Sequence, residues 1–430
     1  MSNSLKQRLL DRARNRRDSE TPAAGAEAAP RVSERFTRFD LQPGYQQLQM
    51  MRSSGERLGI DDPFFRVHES SGGATTVIDG RECINFASYN YLGLVHHPQV
   101  IRAGIEALER YGSSVSASRP VSGERPIHQA LESAIAECYA SEAALVFVSG
   151  HATNVSTIGY LLGPRDLILH DEYIHNSTLV GAQLSGARRM SFTHNDPQAL
   201  EALLERHRGQ FERVLIVIEG LYSMDGDAPA LERFVALKQR YSSWLMVDEA
   251  HSFGVLGESG RGIGEMSGVA TQDVDIWMGT LSKSLAGCGG YITGCRALVD
   301  TLRYFAPGFL YSVGMPAQVA APSLAALQIM RAEPERVTRL HHISRYFAER
   351  ARAKGWNTGD SIGAAIVPVI VGSSAKAARA SARLLEAGIN VQPILHPAVP
   401  EKSARLRFFF SCEHTEAQID TTLEALDRVL

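Results

Sequence analysis

Apolar, strand-like segments alternate with helical segments through the middle of the chain, and this alternation is the strongest constraint on its fold. The segments read as strands are 144–148, 167–170, 214–218, 244–247 and 274–278, and each is followed by polar residues. Strands that are separated by helices pair in parallel through crossover connections. We therefore predict an α/β fold with a mostly parallel central sheet and polar groups along its carboxyl edge.

Past residue 310 the pattern changes to long helical segments at 316–331 and 334–353, with short strands at 366–371 and 406–410. A chain of 430 residues is long for a single core. We predict three parts: an N-terminal extension over 1–60, a large domain over 61–310 and a smaller α+β domain over 311–430.

The extension has a composition of its own. Leu5, Leu9 and Leu10 could line one face of a short basic helix, and residues 21–30 have the composition of a linker. We expect a disordered tail. The alternative is a helix that docks on an acidic partner such as a carrier protein.

Charge and cysteine content exclude several classes of function. A net charge of −3 gives no reason to expect nucleic acid or a membrane surface as a partner. No apolar run is long enough to span a bilayer. The cysteines are scattered and odd in number, which argues against disulfides and against a metal site, and favours the cytoplasm. They are Cys83, Cys138, Cys288, Cys295 and Cys412.

One lysine, Lys283, follows the strand predicted at 274–278, where open α/β sheets place their ligands. An amine that is partly desolvated there has a lowered pKa and can form a Schiff base with an aldehyde. Thr280 and Ser282 precede it and could bind a phosphate. Taken alone, Lys283 would be interpreted as an ordinary surface lysine, so the argument depends on the residues around it.

Two other strand ends carry groups that suit the same ligand. Gly150, His151 and Ala152 open a helix directly after a strand, so their backbone N–H groups can receive a phosphate, although many α/β proteins have such a turn. Asp248 ends an apolar strand, where a buried carboxylate needs a cationic partner such as a protonated pyridine nitrogen. The alternative for Asp248 is a helix N-cap.

Two histidines complete the set. His251 lies three residues after Asp248 and could reach the phenolic oxygen of the same ring, while His175 could stack on the ring face or be a polar loop residue. A lysine for an aldehyde, an aspartate for a pyridinium and a helix start for a phosphate together specify pyridoxal 5'-phosphate (PLP).

Longer motifs carry a family resemblance. They are Tyr-Leu-Gly-Leu at 91–94, Glu-Gly-Leu-Tyr-Ser-Met-Asp-Gly-Asp at 219–227, Val-Asp-Glu-Ala-His-Ser-Phe-Gly-Val-Leu-Gly at 247–257, Gly-Arg-Gly at 260–262, Gly-Thr-Leu-Ser-Lys-Ser at 279–284 and Arg-Leu-Arg-Phe at 405–408. From about residue 60 to its C-terminus the chain resembles the α-oxoamine synthases of the fold-type I PLP enzymes.

The resemblance implies roles for individual residues. It assigns the Schiff base to Lys283, the pyridine nitrogen to Asp248, the neighbourhood of the ring oxygen to His251 and Ser223, ring stacking to His175, phosphate to Thr280 and the substrate to Asn90 and Arg407. It also implies a homodimer with active sites at the subunit interface. The implied reaction removes the Cα proton of a small amino acid through Lys283, joins that carbon to an acyl thioester and releases carbon dioxide, which leaves an α-aminoketone.

Departures from the family pattern bear on the substrates. Tyr89-Asn90-Tyr91 resembles the serine palmitoyltransferase branch, whereas 116–124 and 285–291 resemble members of polyketide pathways that take acyl groups from a carrier protein. Val313 and Gly314 stand where relatives often have Thr and Ser, one of which binds phosphate across the dimer. Serine, alanine and glycine all stay open as substrates, as do coenzyme A and a carrier protein as donors.

Two competing hypotheses remain. A fold-type I aminotransferase or lyase would share the lysine, the aspartate and the phosphate loop, but would not need the motifs at 91–94 and 219–227. A non-catalytic partner subunit is the second, and the presence of Lys283 counts against it.

Overall fold

The computed structural model describes residues 32–59, 62–70 and 72–430. The chain divides into two compact units, Met1–Asp62 and Pro63–Leu430. The predicted basic helix near residue 5 lies outside the described residues. Within the described part of the chain, no helix is both long and apolar enough to cross a membrane.

The strands, in chain order, are β1 Thr75–Ile78, β2 Arg81–Asn85, β3 Ala143–Phe147, β4 Leu167–Asp171, β5 Arg188–Phe192, β6 Val214–Glu219, β7 Trp244–Asp248, β8 Ile276–Thr280, β9 Gly290–Gly294, β10 Ile366–Ile370, β11 Ile389–Asn390, β12 Gln392–Ile394 and β13 Arg405–Phe409.

The α-helices are α1 Pro43–Leu58, α2 Pro98–Tyr111, α3 Pro126–Tyr139, α4 Gly150–Leu161, α5 Asn176–Ser185, α6 Pro197–His207, α7 Leu231–Arg240, α8 Ile263–Ser267, α9 Arg296–Phe305, α10 Pro307–Leu310, α11 Ala317–Ala332, α12 Glu335–Ala353, α13 Ser374–Glu386 and α14 Glu416–Val429.

The central sheet has seven strands in the order β3-β9-β8-β7-β6-β4-β5. Neighbouring strands are parallel except at β9, which runs antiparallel to both β3 and β8. The interior strands are buried on both faces because helices cover the sheet on each side. The prediction of an α/β fold with a mostly parallel sheet is confirmed.

Two strands of this sheet were not predicted. β5 is an edge strand whose residues are mostly exposed, so it has no apolar run. β9 begins at Gly290, which the sequence placed in a flexible glycine segment, and the strand is buried throughout. The strand predicted to end before Gly279 instead continues to Thr280, because both residues pair with β9.

Two smaller sheets complete the fold. β1 and β2 form a hairpin around Asp79 and Gly80, both with positive φ, and β11 pairs in parallel with β2. β10, β13 and β12 form an antiparallel sheet, of which β13 is the central strand. This second sheet matches the predicted α+β part. A domain boundary at residue 310 stays a prediction, since residues 63–430 form one compact unit.

A buried ion cluster joins the edge strand β3 of the large sheet to the neighbouring helices. Arg119 Nη1 lies 2.5 Å from Glu132 Oε1, and Arg303 Nη2 lies 2.8 Å from Glu132 Oε2. The same carboxylate accepts the Val146 N–H, and Arg119 also pairs with Glu124. The Arg119 and Glu132 side chains are only 4% and 6% exposed. Glu132 therefore joins α3, β3, α9 and the segment before α3.

We predict that Glu132→Gln lowers the free energy of unfolding by about 3 kcal/mol, because it leaves a buried guanidinium with one carboxylate fewer. The matched control is Glu137→Gln on the same helix. Glu137 is 67% exposed and lies 3.5 Å from Arg331, so its loss should cost less than about 1 kcal/mol. Urea unfolding at pH 7 measures both values, and equal losses would contradict the assigned role of Glu132.

Candidate active site

The register of the sheet places two carboxyl groups side by side at its carboxyl edge. Glu219 ends β6 and pairs directly with Asp248, which ends β7. Both side chains are buried. Burial, together with the charge of Asp248, raises the pKa of Glu219 well above its ordinary value. One oxygen of Glu219 accepts the His175 N–H at 2.7 Å, so the carboxyl group also fixes the backbone that leads into α5.

The Asp248 carboxylate is held by two N–H donors. Its Oδ1 accepts the Ala250 N–H at 2.9 Å, and its Oδ2 accepts from Asn154 Nδ2 at 2.8 Å. No α-helix begins at Asp248, because the chain passes from β7 into a turn. The N-cap alternative for Asp248 is therefore wrong, and the carboxylate is free to face a ligand of the cleft.

Lys283 lies three residues after β8, close to these carboxyl groups. Burial lowers the pKa of its amine to about 8; Asp248 and Glu219 act to raise it, and Arg407 acts to lower it. The Nζ atom lies 5.5 Å from the centre of the Tyr89 ring. An amine in this environment is a nucleophile near neutral pH, which an ordinary surface lysine is not.

The two predicted histidines differ in their surroundings. His175 is the N-cap of α5, and its Nδ1 accepts the Ser177 N–H while its outer side is exposed. His251 is buried beside Phe409 and its Nδ1 lies 2.8 Å from the Tyr91 hydroxyl. Burial lowers the pKa of both rings, that of His251 well below its ordinary value, so both are neutral imidazoles at pH 7.

The start of α4 provides donors for an anion. Ser149 caps the helix and accepts the Ala152 N–H at 3.4 Å. The N–H groups of Gly150 and His151 have no acceptor among the described residues. A Cβ atom at Gly150 would lie 2.9 Å from the hydroxyl oxygen of Thr280, so only glycine allows this close approach. Unpaired N–H groups at a helix start can receive a phosphate, and phosphate binding by Gly150, His151 and Ala152 stays a prediction.

The segment after β8 closes this site from the other side. The Thr280 hydroxyl donates to the Gly289 carbonyl at 2.8 Å and accepts the Ser282 N–H at 3.2 Å. Ser282 is itself exposed and its hydroxyl reaches the same carbonyl at 3.4 Å. Thr280 thus lies beside the helix start, as predicted, and Ser282 lies at the rim. Their contact with a phosphate stays a prediction.

These groups fit PLP. The unpaired N–H groups at Gly150 and His151 suit its phosphate, the Asp248 carboxylate suits its pyridinium nitrogen and the Lys283 amine suits its aldehyde. The fit rests on donors that lack partners and on an amine with a lowered pKa.

Arg407 belongs to the small antiparallel sheet of β10, β13 and β12, and its side chain contributes to the same cleft. It lies in β13, its Nη1 donates to the Ser223 carbonyl at 3.1 Å and its guanidinium lies 4.4 Å above the Phe409 ring. Its buried Nε has no partner among the described residues. Burial lowers the pKa of Arg407. The guanidinium therefore retains donor capacity for an anionic ligand.

The other predicted substrate residue, Asn90, is buried. Its amide oxygen accepts the Val95 N–H at 3.3 Å, and its Nδ2 has no partner in the described part of the chain. Ser223 meets Arg407 through its backbone carbonyl rather than through its hydroxyl. Substrate binding by Asn90 and a ring contact from Ser223 stay predictions.

The segment that carries Ser223 is fixed by charges that sequence reasoning missed. Arg405 contacts Asp225 at 2.5 Å. His194 lies between Asp171 at 2.9 Å and Asp227 at 2.8 Å. Burial alone would lower the pKa of His194, but the two hydrogen-bonded aspartates raise it to about 10. A charged histidine thus holds the segment against the end of β4.

Asn154 and Ser177 were also missed, although both lie close in sequence to predicted residues. Asn154 follows Gly150 by about one helical turn, and Ser177 follows His175 by two positions. Val313 forms a single bridge with Ser118, and the Gly314 N–H binds the Ala117 carbonyl at 2.9 Å. That Val313 and Gly314 cannot bind a phosphate across the dimer stays a prediction.

This chain is similar to known proteins over most of its length. A family model for class I and II aminotransferases matches residues 81–426. The 8-amino-7-oxononanoate synthase of Geobacter sulfurreducens is 41% identical over 385 residues, which are 89% of this chain and 96% of that protein.

Two solved structures are similar as well. A serine palmitoyltransferase of Sphingomonas wittichii has a TM-score of 0.87 at 32% identity, covering 91% of this chain and 98% of that one. A serine palmitoyltransferase structure with PLP has a TM-score of 0.86 at 31% identity, covering 90% and 97%. The chain therefore belongs to the α-oxoamine synthases, the PLP-dependent acyltransferases of the class I and II aminotransferase family that condense an amino acid with an acyl thioester and release carbon dioxide.

Proposed function

We propose that this enzyme joins serine, alanine or glycine to an acyl thioester and releases an α-aminoketone. The observation that supports this best is the buried Arg407 guanidinium with an unpaired Nε, close enough to Lys283 to lower the pKa of its amine. A guanidinium can bind the carboxylate of an amino acid through two hydrogen bonds. The substrate's Cα would then lie near a basic amine.

Each residue of the cleft has a defined task in this proposal. PLP supplies an aldehyde for covalent attachment and an electron-withdrawing ring. Gly150, His151 and Thr280 would hold its phosphate, and the Asp248 carboxylate would accept a hydrogen bond from its ring nitrogen and keep that nitrogen protonated. The Lys283 amine, with a pKa of about 8, can take a proton at Nζ and return it.

The comparisons leave the substrates open. The relatives are named for 8-amino-7-oxononanoate and the structural neighbours for serine and palmitoyl groups. We propose a homodimer, and either coenzyme A or an acyl carrier protein as the thioester donor, for which the basic N-terminal segment is suited. All five cysteines are free thiols, which suits the cytoplasm.

The reaction itself tests the proposal. The PLP-loaded enzyme should release thiol and carbon dioxide in equal amounts only when a small amino acid and an acyl thioester are both present. Conversion of the amino acid to an oxo acid without thioester would instead identify an aminotransferase. A protein that binds PLP but converts the amino acid neither with nor without the thioester would support the partner-subunit hypothesis. Lys283→Ala is the control, because it removes the base and keeps the fold.

We predict that Arg407→Met raises KM for the amino acid at least about 30-fold, the effect of losing about 2 kcal/mol from one buried charge pair. Arg407→Lys keeps the charge but loses the paired donors, so its KM for the amino acid should lie between those of Arg407→Met and the wild type. KM for the thioester should stay unchanged. Initial rates at varied amino acid measure the effect, and a change confined to the thioester would assign Arg407 to the other substrate.

A second prediction concerns pH. Because the neutral amine reacts with aldehydes, the rate at which the PLP-free enzyme captures PLP should rise with pH and level off above about pH 8, where Lys283 loses its proton. Stopped-flow absorbance gives the profile, with N-acetyl-lysine as a reference amine of ordinary pKa. A profile still rising at pH 10 would show that burial does not lower the pKa of Lys283.

A further inference from the structure

A series of hydrogen bonds connects the buried Asp248 carboxylate with the ring of His175. Asn154 Nδ2 lies 2.8 Å from Asp248 Oδ2 and 2.9 Å from Ser177 Oγ. Ser177 Oγ lies 2.7 Å from His175 Nδ1. Asn154 and Ser177 are both buried, on α4 and α5 respectively. Three separate elements, β7, α4 and α5, therefore meet in a single network.

The donor in each bond follows from the chemistry of the groups. A carboxylate only accepts, so the amide nitrogen of Asn154 must face Asp248. The second N–H of the same nitrogen then donates to Ser177 Oγ. His175 Nδ1 accepts the Ser177 backbone N–H at 3.3 Å, so Nδ1 is an acceptor and the Ser177 hydroxyl directs its own hydrogen to it. An Nδ1 atom that accepts twice carries no hydrogen.

We infer that Asn154 and Ser177 are positioning residues that hold His175 as the neutral tautomer with its hydrogen on Nε2. The hydrogen bond at one ring nitrogen decides which nitrogen is protonated. His175 is then an N–H donor at its exposed edge and is unable to accept a proton at Nδ1 unless the serine hydroxyl turns away. The orientation of the ring depends on the same bonds.

This assignment rests on the proposed function only for its effect on rate. In that reaction an Nε2–H at the open side of the cleft would donate a hydrogen bond to an oxygen of the substrate. With the tautomer reversed, the same edge would carry a lone pair and repel that oxygen. The tautomer itself can be measured without turnover, so failure of the inference and failure of the proposed function are separate results.

The test uses the full chain labelled with ¹⁵N-histidine, with and without PLP. Ring ¹⁵N shifts distinguish a protonated from an unprotonated nitrogen, and His175→Asn identifies the His175 signals by their loss. In the wild type, Nε2 should be protonated and Nδ1 unprotonated. A spectrum with the hydrogen on Nδ1 would overturn the inference, whatever the variants do.

Ser177→Ala should then move the His175 signals toward a mixture of tautomers and lower kcat by about tenfold, the usual cost of losing an outer orienting partner. The matched control is Thr178→Val, which deletes the neighbouring buried hydroxyl, one that has no partner among the described residues. It should leave the His175 signals unchanged and kcat within about a factor of two. Unchanged signals in a folded Ser177→Ala variant would show that the serine does not set the tautomer.

Discussion

Two carboxyl groups, Glu219 and Asp248, are buried side by side at the ends of neighbouring strands, and the rest of the site depends on this constraint. A buried carboxylate needs donors because no water replaces them. The turn after β7 supplies the Ala250 N–H, and α4 supplies Asn154. Glu219 meets the same need through the backbone of His175. The starts of α4 and α5, which follow β3 and β4, are thereby fixed around the same cleft.

The charges of the cleft balance one another around the reactive amine. Burial and the charge of Arg407 lower the pKa of Lys283. The carboxyl groups of Asp248 and Glu219 act to raise it. The result is an amine that changes charge near neutral pH, as a group that both attacks and transfers protons requires. Arg407 comes from β13 in the second sheet, so the α+β part of the chain completes a site that the parallel sheet begins.

The sequence predicted those features of the fold and the site that depend on local patterns of apolar and polar residues. The interior strands have continuous apolar runs, and the polar residues after them, including Lys283 and Asp248, followed directly. β5 could not be predicted because most of its residues are exposed. β9 could not be predicted because it begins and ends with a glycine. The contact between Asn154 and Ser177 depends on how α4 packs on α5. Gly181 allows that approach, since a Cβ there would lie 2.9 Å from the Asn154 carbonyl, and no local pattern marks it.

The measurement that tests the central claim most directly is the position of the covalent cofactor. PLP-loaded enzyme is reduced with borohydride, digested and mapped by mass spectrometry. The account predicts one modified peptide, with the cofactor on Lys283 and loss of the label in Lys283→Ala. It would be contradicted by an unmodified Lys283, or by label on another lysine: Lys6, Lys238, Lys354, Lys376 or Lys402.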